Sequence, residues 1–121
     1  MVKIDLKSEP NFEPGAEILA YLSWDTDSQP KSVELRVVWN TSGKGNRDIE
    51  VAQTIPLDAT SWQSEKQVSL TLPEEPYSFS GRLISVQWAL ELVLLPSEES
   101  TRVPITIGPD ASEVVMRGTG E

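Results

Sequence analysis

Residues 82–95, RLISVQWALELVLL, decide the fold of this chain. Every even-numbered position from 84 to 94 is apolar, whereas Ser85, Gln87 and Glu91 place polar side chains in the odd-numbered series. Successive side chains of a β-strand point to opposite faces of a sheet, so this period of two indicates a strand with one packed face and one partly solvated face. We predict that it is the central strand, and that three of its side chains point into the core: Ile84, Trp88 and Leu92.

Six shorter segments alternate in the same way, and we predict that they are strands packed around the long one. They are residues 2–6, 16–24, 33–39, 49–57, 68–72 and 103–107. The fourth is the least regular, because Gln53 stands in the inward series of Ile49, Val51, Ile55 and Leu57. Pro104 places the last strand at a sheet edge, since proline cannot donate to the ladder. Residues 40–47, NTSGKGNR, are the most turn-like segment and predict a hairpin loop.

No segment keeps the helical period of about 3.6 residues over a helical length. Seven alternating segments therefore predict an all-β fold, an antiparallel β-sandwich of about seven strands. A chain of 121 residues has the size of one domain, so we expect a single domain over residues 1–121. We expect residues 109–121 to fray unless another strand or a partner receives Val114, Val115 and Met116. Three tryptophans fall in the apolar series and are expected in the core: Trp24, Trp39 and Trp88.

Cysteine and histidine are both absent from the sequence. Disulfides, thiolate metal sites and cysteine nucleophiles are therefore excluded, together with the commonest general base and transition-metal ligand. No motif points to catalysis or to a cofactor, so we predict that the protein is not an enzyme and that it has no catalytic, cofactor-binding or metal-binding residues. The enzymatic alternative is a glycosidase-like pair of carboxylates about 5–9 Å apart.

The formal net charge is −9, from 10 basic and 19 acidic residues. Binding to phosphate backbones requires clustered Lys and Arg, whereas the basic residues here are scattered singly, so we expect no nucleic-acid partner. No run approaches the about 18 apolar residues of a membrane-spanning helix, so we expect no membrane span. The first residues lack the apolar region of a secretory signal, and we expect a cytoplasmic protein.

Side chains on the predicted loops are the candidates for binding a partner. Lys44 and Arg47 lie in the hairpin loop, where a phosphate cradle would need a helix after the glycines; a strand follows, so a hairpin is favoured. Trp62 lies among polar residues, where it can bind a sugar or a partner protein, or cap the sandwich. Tyr77 and Phe79 belong to another loop, and either close one end of the core or present a contact.

Asp25 and Asp27 have the spacing that opens a calcium-binding loop. The rest of that loop does not follow, because Pro30 stands where a glycine should make the sharp turn, and Arg36 stands where a bidentate glutamate is required. A solvated loop is therefore favoured over a calcium site.

Two segments resemble a known family. Residues 72–92, LPEEPYSFSGRLISVQWALEL, resemble the stretch of arrestin-like domains in which a proline-led aromatic turn precedes a long strand. Residues 12–24, FEPGAEILAYLSW, are similar to the early Pro-Gly and acidic-apolar strand of the same family, which includes receptor adaptors and the related retromer subunit. The resemblance implies an immunoglobulin-like, arrestin-like β-sandwich that serves as a non-enzymatic scaffold for proteins. Known adaptors pair two such sandwiches, whereas this chain has room for one.

We therefore predict a single β-sandwich domain that binds another protein, or associates with itself, through an exposed sheet edge or through the loops with Lys44, Trp62 and Tyr77. The net charge argues against the phosphate sensing of receptor-binding arrestins, and no functional residue of that family is assigned here. The alternative function is a carbohydrate- or calcium-binding β-sandwich.

Overall fold

The computed structural model of the protein describes residues 1–27, 29–43, 46–58, 61–75, 78–80, 85–109 and 113–115, and at 46–48, 79–80 and 114–115 it describes the backbone alone. Every secondary-structure element in this part of the chain is a β-strand, and the strands form two sheets, so the prediction of an all-β fold is confirmed. In chain order the strands are β1 (Val2–Asp5), β2 (Asn11–Phe12), β3 (Glu17–Asp25), β4 (Ser32–Gly43), β5 (Asn46–Leu57), β6 (Gln63–Thr71), β7 (Phe79–Ser80), β8 (Ser85–Leu95), β9 (Glu99–Ile107) and β10 (Val114–Val115).

The smaller sheet contains three antiparallel strands in the order β1-β3-β6. Its central strand, β3, pairs with β6 over its whole length, from Glu17 opposite Thr71 to Asp25 opposite Gln63. The apolar residues of β3 alternate with exposed or half-buried ones, as the sequence pattern predicts. Four of them face the core: Ile18, Ala20, Leu22 and Trp24.

The larger sheet is built around β8. β4 pairs along one edge of β8, from Ser32 opposite Leu95 to Ser42 opposite Ser85. Because β4 occupies that whole edge, the two other partners of β8 share its second edge: β9 pairs with its C-terminal part and β7 with its first two residues. β5 extends the sheet beyond β4. The long strand predicted from the sequence is therefore the central strand of this sheet.

The core lies between the two sheets as one cluster of buried apolar side chains. β8 contributes Trp88, Leu90, Leu92 and Leu94, all of which are at most 1% exposed. Trp24 is equally buried, and its indole N–H donates a hydrogen bond of 3.1 Å to the backbone oxygen of Ser61, so the polar atom of this large side chain is satisfied. Trp39 is half-buried beside Trp88, with ring centroids 6.2 Å apart. The prediction for residue 84 lies outside the described residues.

A β-bulge in β5 corrects the predicted inward face of that strand. Gln53 pairs with Val37, but the next pair joins Val51 to Val38, so Ala52 has no residue opposite it. The extra residue reverses the direction of the preceding side chains. Val51, opposite the outward-facing Val38, therefore lies on the outer face of the sheet together with Ile49, and the assignment of both to the inward series is wrong.

Three two-residue strands were not predicted, because two residues cannot show a period. β2 lies in the segment between the first two predicted strands and pairs in parallel with β9. β10 pairs in parallel with β7, so a strand does receive Val114 and Val115 at the end of the chain. The β4–β5 hairpin is confirmed, but its connection is shorter than the predicted loop, because pairing continues to Gly43 opposite Asn46.

Candidate functional site

The outermost strands of the two sheets differ in how they are protected against pairing with another chain. Unpaired backbone groups on an edge strand attract further strands, and proteins limit this with short strands or inward-pointing charges. β1 has 4 residues, and β2 and β10 have 2 each. β6 has 9 residues, but Lys66 occupies an inward position opposite Leu22. These four strands are therefore poor templates for another strand.

β9 and β5 are the remaining edge strands. β9 pairs with β2 only at Thr106 and Ile107, so its edge over 99–105 has no strand partner in the described part of the chain, but Pro104, which has no backbone N–H, lies within it. This agrees with the predicted edge position of this strand.

β5 is the longest of the described edge strands. It has 12 residues, and the side away from β4 has no strand partner in the described part of the chain. Its second half is modified by Pro56 and by the bulge at Ala52, and the side chain of Gln53 donates a hydrogen bond of 2.9 Å to the backbone oxygen of Thr71 in β6. The backbone of residues 46–51 contains neither a proline nor a bulge, although Glu50 has an inward position opposite Trp39, as Lys66 has opposite Leu22. We call this backbone segment the open edge.

An apolar row on the outer face of the larger sheet begins at the open edge. Cross-strand pairing places one residue from each of β5, β4, β8 and β9 side by side. These four residues form the row: Val51, Val38, Ala89 and Pro104. Val38 and Ala89 are buried, whereas Val51 is 49% exposed and its neighbour Ile49 is 55% exposed. Apolar side chains usually occupy the inner face, so two half-exposed aliphatic residues beside an unpaired strand edge form a surface suited to a protein contact.

A shallow depression of about 250 Å³ adjoins the apolar row, and Ile49, Gln87 and Pro104 are among the residues that line it. A charged row borders the apolar row on the other side, formed by Arg36, Glu91 and Arg102 at directly opposite positions of β4, β8 and β9. The apolar row is thus enclosed by polar groups, as the contact centre of a protein interface is.

The charges in the charged row are largely neutralised within it. Arg102 Nη2 lies 2.9 Å from Glu91 Oε2, and Arg36 Nη1 lies 3.9 Å from Glu91 Oε1. Arg36 Nη2 also lies 2.8 Å from Glu34 Oε2. Since each guanidinium already has a carboxylate partner, these residues define the border of the surface and do not offer free charges.

Three of the five predicted contact residues are described, and the structure does not bring these three into one patch. Arg47 lies in β5 at the open edge, and the pairing series through β4 and β8 places it three strands from β7, which contains Phe79. Trp62 is 53% exposed and lies at the opposite end of the strands, where its backbone oxygen accepts a hydrogen bond of 2.9 Å from the N–H of Thr26. Lys44 and Tyr77 lie outside the described residues.

Sequence reasoning missed Ile49 and Val51 as surface residues, because their spacing continues the inward series of β5. The one signal was Gln53, a polar residue in that series, which now proves to be the residue next to the bulge. A polar residue in an apolar series therefore marked the place where the strand changes its face.

Other types of site find little support in the described residues. Those residues contain no group of three or more acidic side chains that could hold a metal ion, so Asp25 and Asp27 belong to no such group. Within the same part of the chain, no helix is long and apolar enough to cross a membrane.

Comparison with known proteins adds no relative: no family model matches the chain, and no curated protein matches its sequence.

Proposed function

We propose that this protein is a non-enzymatic interaction module, and that it binds another protein by adding a strand of that protein to the open edge of β5. The observation that carries the proposal is the half-exposed pair Ile49 and Val51 beside six residues of edge backbone that have no second strand partner in the described part of the chain. Main-chain hydrogen bonds supply affinity when a strand is added to a sheet, and alternate side chains supply specificity. Here the added strand would cover the exposed end of the apolar row.

The proposal includes an immunoglobulin-like arrangement of the sandwich. In immunoglobulin sandwiches the first, second and fifth strands share one sheet, and the third, sixth and seventh share the other, which a further strand can extend beside the third. The order β1-β3-β6 in one sheet and β5-β4-β8-β9 in the other supports this arrangement. The arrestin-like kinship is proposed on the two similar sequence segments, which contribute β3 and most of β8.

The partner that we propose is a basic protein with an apolar strand. A chain with a net charge of −9 attracts basic partners at long range and repels a second copy of itself. Electrostatic attraction of this kind mainly raises the rate of association and weakens as salt increases. The contact with Ile49 and Val51 is apolar, so it should persist at moderate salt.

The test compares two variants with matched chemistry on opposite faces. Val51→Glu introduces a charge at the apolar row, and Leu19→Glu introduces the same charge at a residue of the smaller sheet that is 43% exposed. Both proteins are used at low and at moderate salt to capture proteins from the native lysate. We expect one stoichiometric protein to be captured by the wild type and by Leu19→Glu, and to be lost with Val51→Glu.

Equal capture by the two variants, or loss with Leu19→Glu alone, would place the contact elsewhere and contradict the proposal. Sedimentation of the purified wild type at two concentrations tests whether a second copy of this chain binds the open edge instead. If the wild type becomes a dimer at the higher concentration and Val51→Glu remains a monomer, a second copy and not a basic partner occupies the open edge.

A further inference from the structure

The outer face of the smaller sheet contains a polar groove of about 410 Å³, within the size range of small-molecule sites. It lies on the far side of the core from the apolar row. Strand pairing arranges its side chains in two cross-strand rows, one of Lys3, Ser23 and Glu65, and one of Asp5, Tyr21 and Gln67. We call it the Tyr21 groove, because this half-buried aromatic residue lies at its centre.

Charge within the Tyr21 groove is balanced. Lys7 Nζ lies 3.2 Å from Asp5 Oδ2, and the backbone N–H of Lys7 donates a hydrogen bond of 2.9 Å to Asp5 Oδ1. These two hydrogen bonds from Lys7 hold the pKa of Asp5 below its ordinary value, so this carboxylate stays ionised. Lys3 and Glu65 add one charge of each sign. Lys66 also lines the groove, but its pairing with the buried Leu22 places its side chain on the inward side of β6. The outer face of the groove therefore has two ammonium groups and two carboxylates, which favour neither an anionic nor a cationic ligand.

Hydrogen-bonding capacity in the Tyr21 groove is unused. In the part of the chain that the structure describes, the side chains of Ser23, Glu65 and Gln67 form no hydrogen bond with one another or with a neighbour. A hydroxyl, a carboxylate and an amide together provide both donors and acceptors. A mainly apolar ligand would leave these groups without partners at a cost in free energy, whereas a ligand with many hydroxyl groups would satisfy them.

The aromatic ring supplies the remaining element of recognition. A tyrosine ring offers an apolar face, and the C–H face of a sugar ring can pack on it while the sugar hydroxyls reach the polar groups around it. The ammonium of Lys7 lies 5.8 Å from the centroid of the Tyr21 ring, and its side chain is 63% exposed, so it can move aside as a ligand enters. From the ring, the balanced charge and the free polar groups, we propose that the Tyr21 groove binds a neutral oligosaccharide.

The experiment is a titration of the isotope-labelled protein with neutral hexasaccharides of glucose, xylose and N-acetylglucosamine, followed by amide NMR shifts. We expect at least one of them to shift amides of β1, β3 and β6, and Tyr21→Ala to weaken its binding by about tenfold. Gln67→Ala, a change at an exposed position, should weaken binding without affecting the fold. Tyr21→Phe keeps the ring and should retain most of the affinity.

Val51→Glu should leave the titration unchanged, so the two proposals can fail separately. The sugar proposal is overturned if no hexasaccharide shifts the amides of the smaller sheet, or if binding survives in both Tyr21→Ala and Gln67→Ala. It is also overturned if Trp62→Ala abolishes binding while Tyr21→Ala does not, because the sugar would then bind at the loop. Tighter binding of an acidic oligosaccharide than of any neutral one would contradict the argument from charge balance.

Discussion

Two tryptophans show how the same residue type takes opposite roles in this protein. Trp88 lies in the apolar series of the central strand and is 1% exposed. Trp62 precedes β6 and is 53% exposed. The alternation around Trp88 predicts its burial, because every second residue of a strand faces the same side. The sequence around Trp62 has no period, so it left a ligand contact, a protein contact and a cap as alternatives.

For these two residues we predict that alanine substitution changes the stability of the protein by very different amounts. Trp88→Ala removes a buried aromatic side chain and should lower the free energy of unfolding by about 3–5 kcal/mol. Trp62→Ala removes an exposed side chain and should change it by about 0.5 kcal/mol or less. Urea denaturation of the two variants and the wild type measures both. A Trp88→Ala protein as stable as Trp62→Ala would mean that β8 does not face the core.

Among the strands, β8 and β5 differ in how well their sequences predict which side chains face the core. Pairing covers both edges of β8, and its inward face is uninterrupted, so the period of two is visible over the whole strand. In β5 the register with β4 shifts between Val37 and Val38, and this shift depends on the partner strand. A bulge of this kind cannot be located from the sequence of one strand. The faces of 49–51 were therefore predicted wrongly, although the strand was predicted correctly.

The proposed protein-binding surface, which is the open edge with the apolar row, could be predicted from the sequence only in part. The exposed sheet edge was predicted as a contact in general terms, because a lone sandwich must have edges. The choice of the β5 edge rests on the length of that strand and on the outward position of Val51 beside the bulge, and both follow only from the strand pairing. The Tyr21 groove was not predicted, because its two rows come from strands that are distant in the sequence.

Deletion of Ala52 tests the bulge directly. Val51 and Gln53 already pair with consecutive residues of β4, so removing Ala52 leaves every cross-strand pair in place. We expect the free energy of unfolding to change by about 1 kcal/mol or less. Deletion of Ile55 is the control, because it displaces one part of β5 by one residue and turns its side chains to the other face, which should cost about 3 kcal/mol or more.

Thermal or urea unfolding of the two deletion proteins gives the comparison. Equal destabilisation by the two deletions would show that Ala52 is an ordinary member of the ladder. In that case the outward position of Ile49 and Val51, and with it the proposed protein-binding surface, would have to be abandoned.

At the scale of the whole molecule, the two outer faces are chemically distinct. The larger sheet presents the apolar row within charged and polar borders, and the smaller sheet presents the Tyr21 groove. The core separates the two faces, so a protein on one and a sugar on the other would not compete for space. The two proposals therefore concern separate surfaces, and the variants Val51→Glu and Tyr21→Ala should affect one surface each.

Two features of the larger sheet underlie the proposed function: β8 is its inner strand, and 46–51 is an open edge. Amide hydrogen exchange of the monomeric protein, measured residue by residue by NMR, tests both parts at once. We predict slow exchange throughout the part of β8 that is paired with both β4 and β9, and fast exchange at alternate amides of 46–51, because only every second amide there can reach β4. Fast exchange along β8, or slow exchange at every amide of 46–51, would contradict the account.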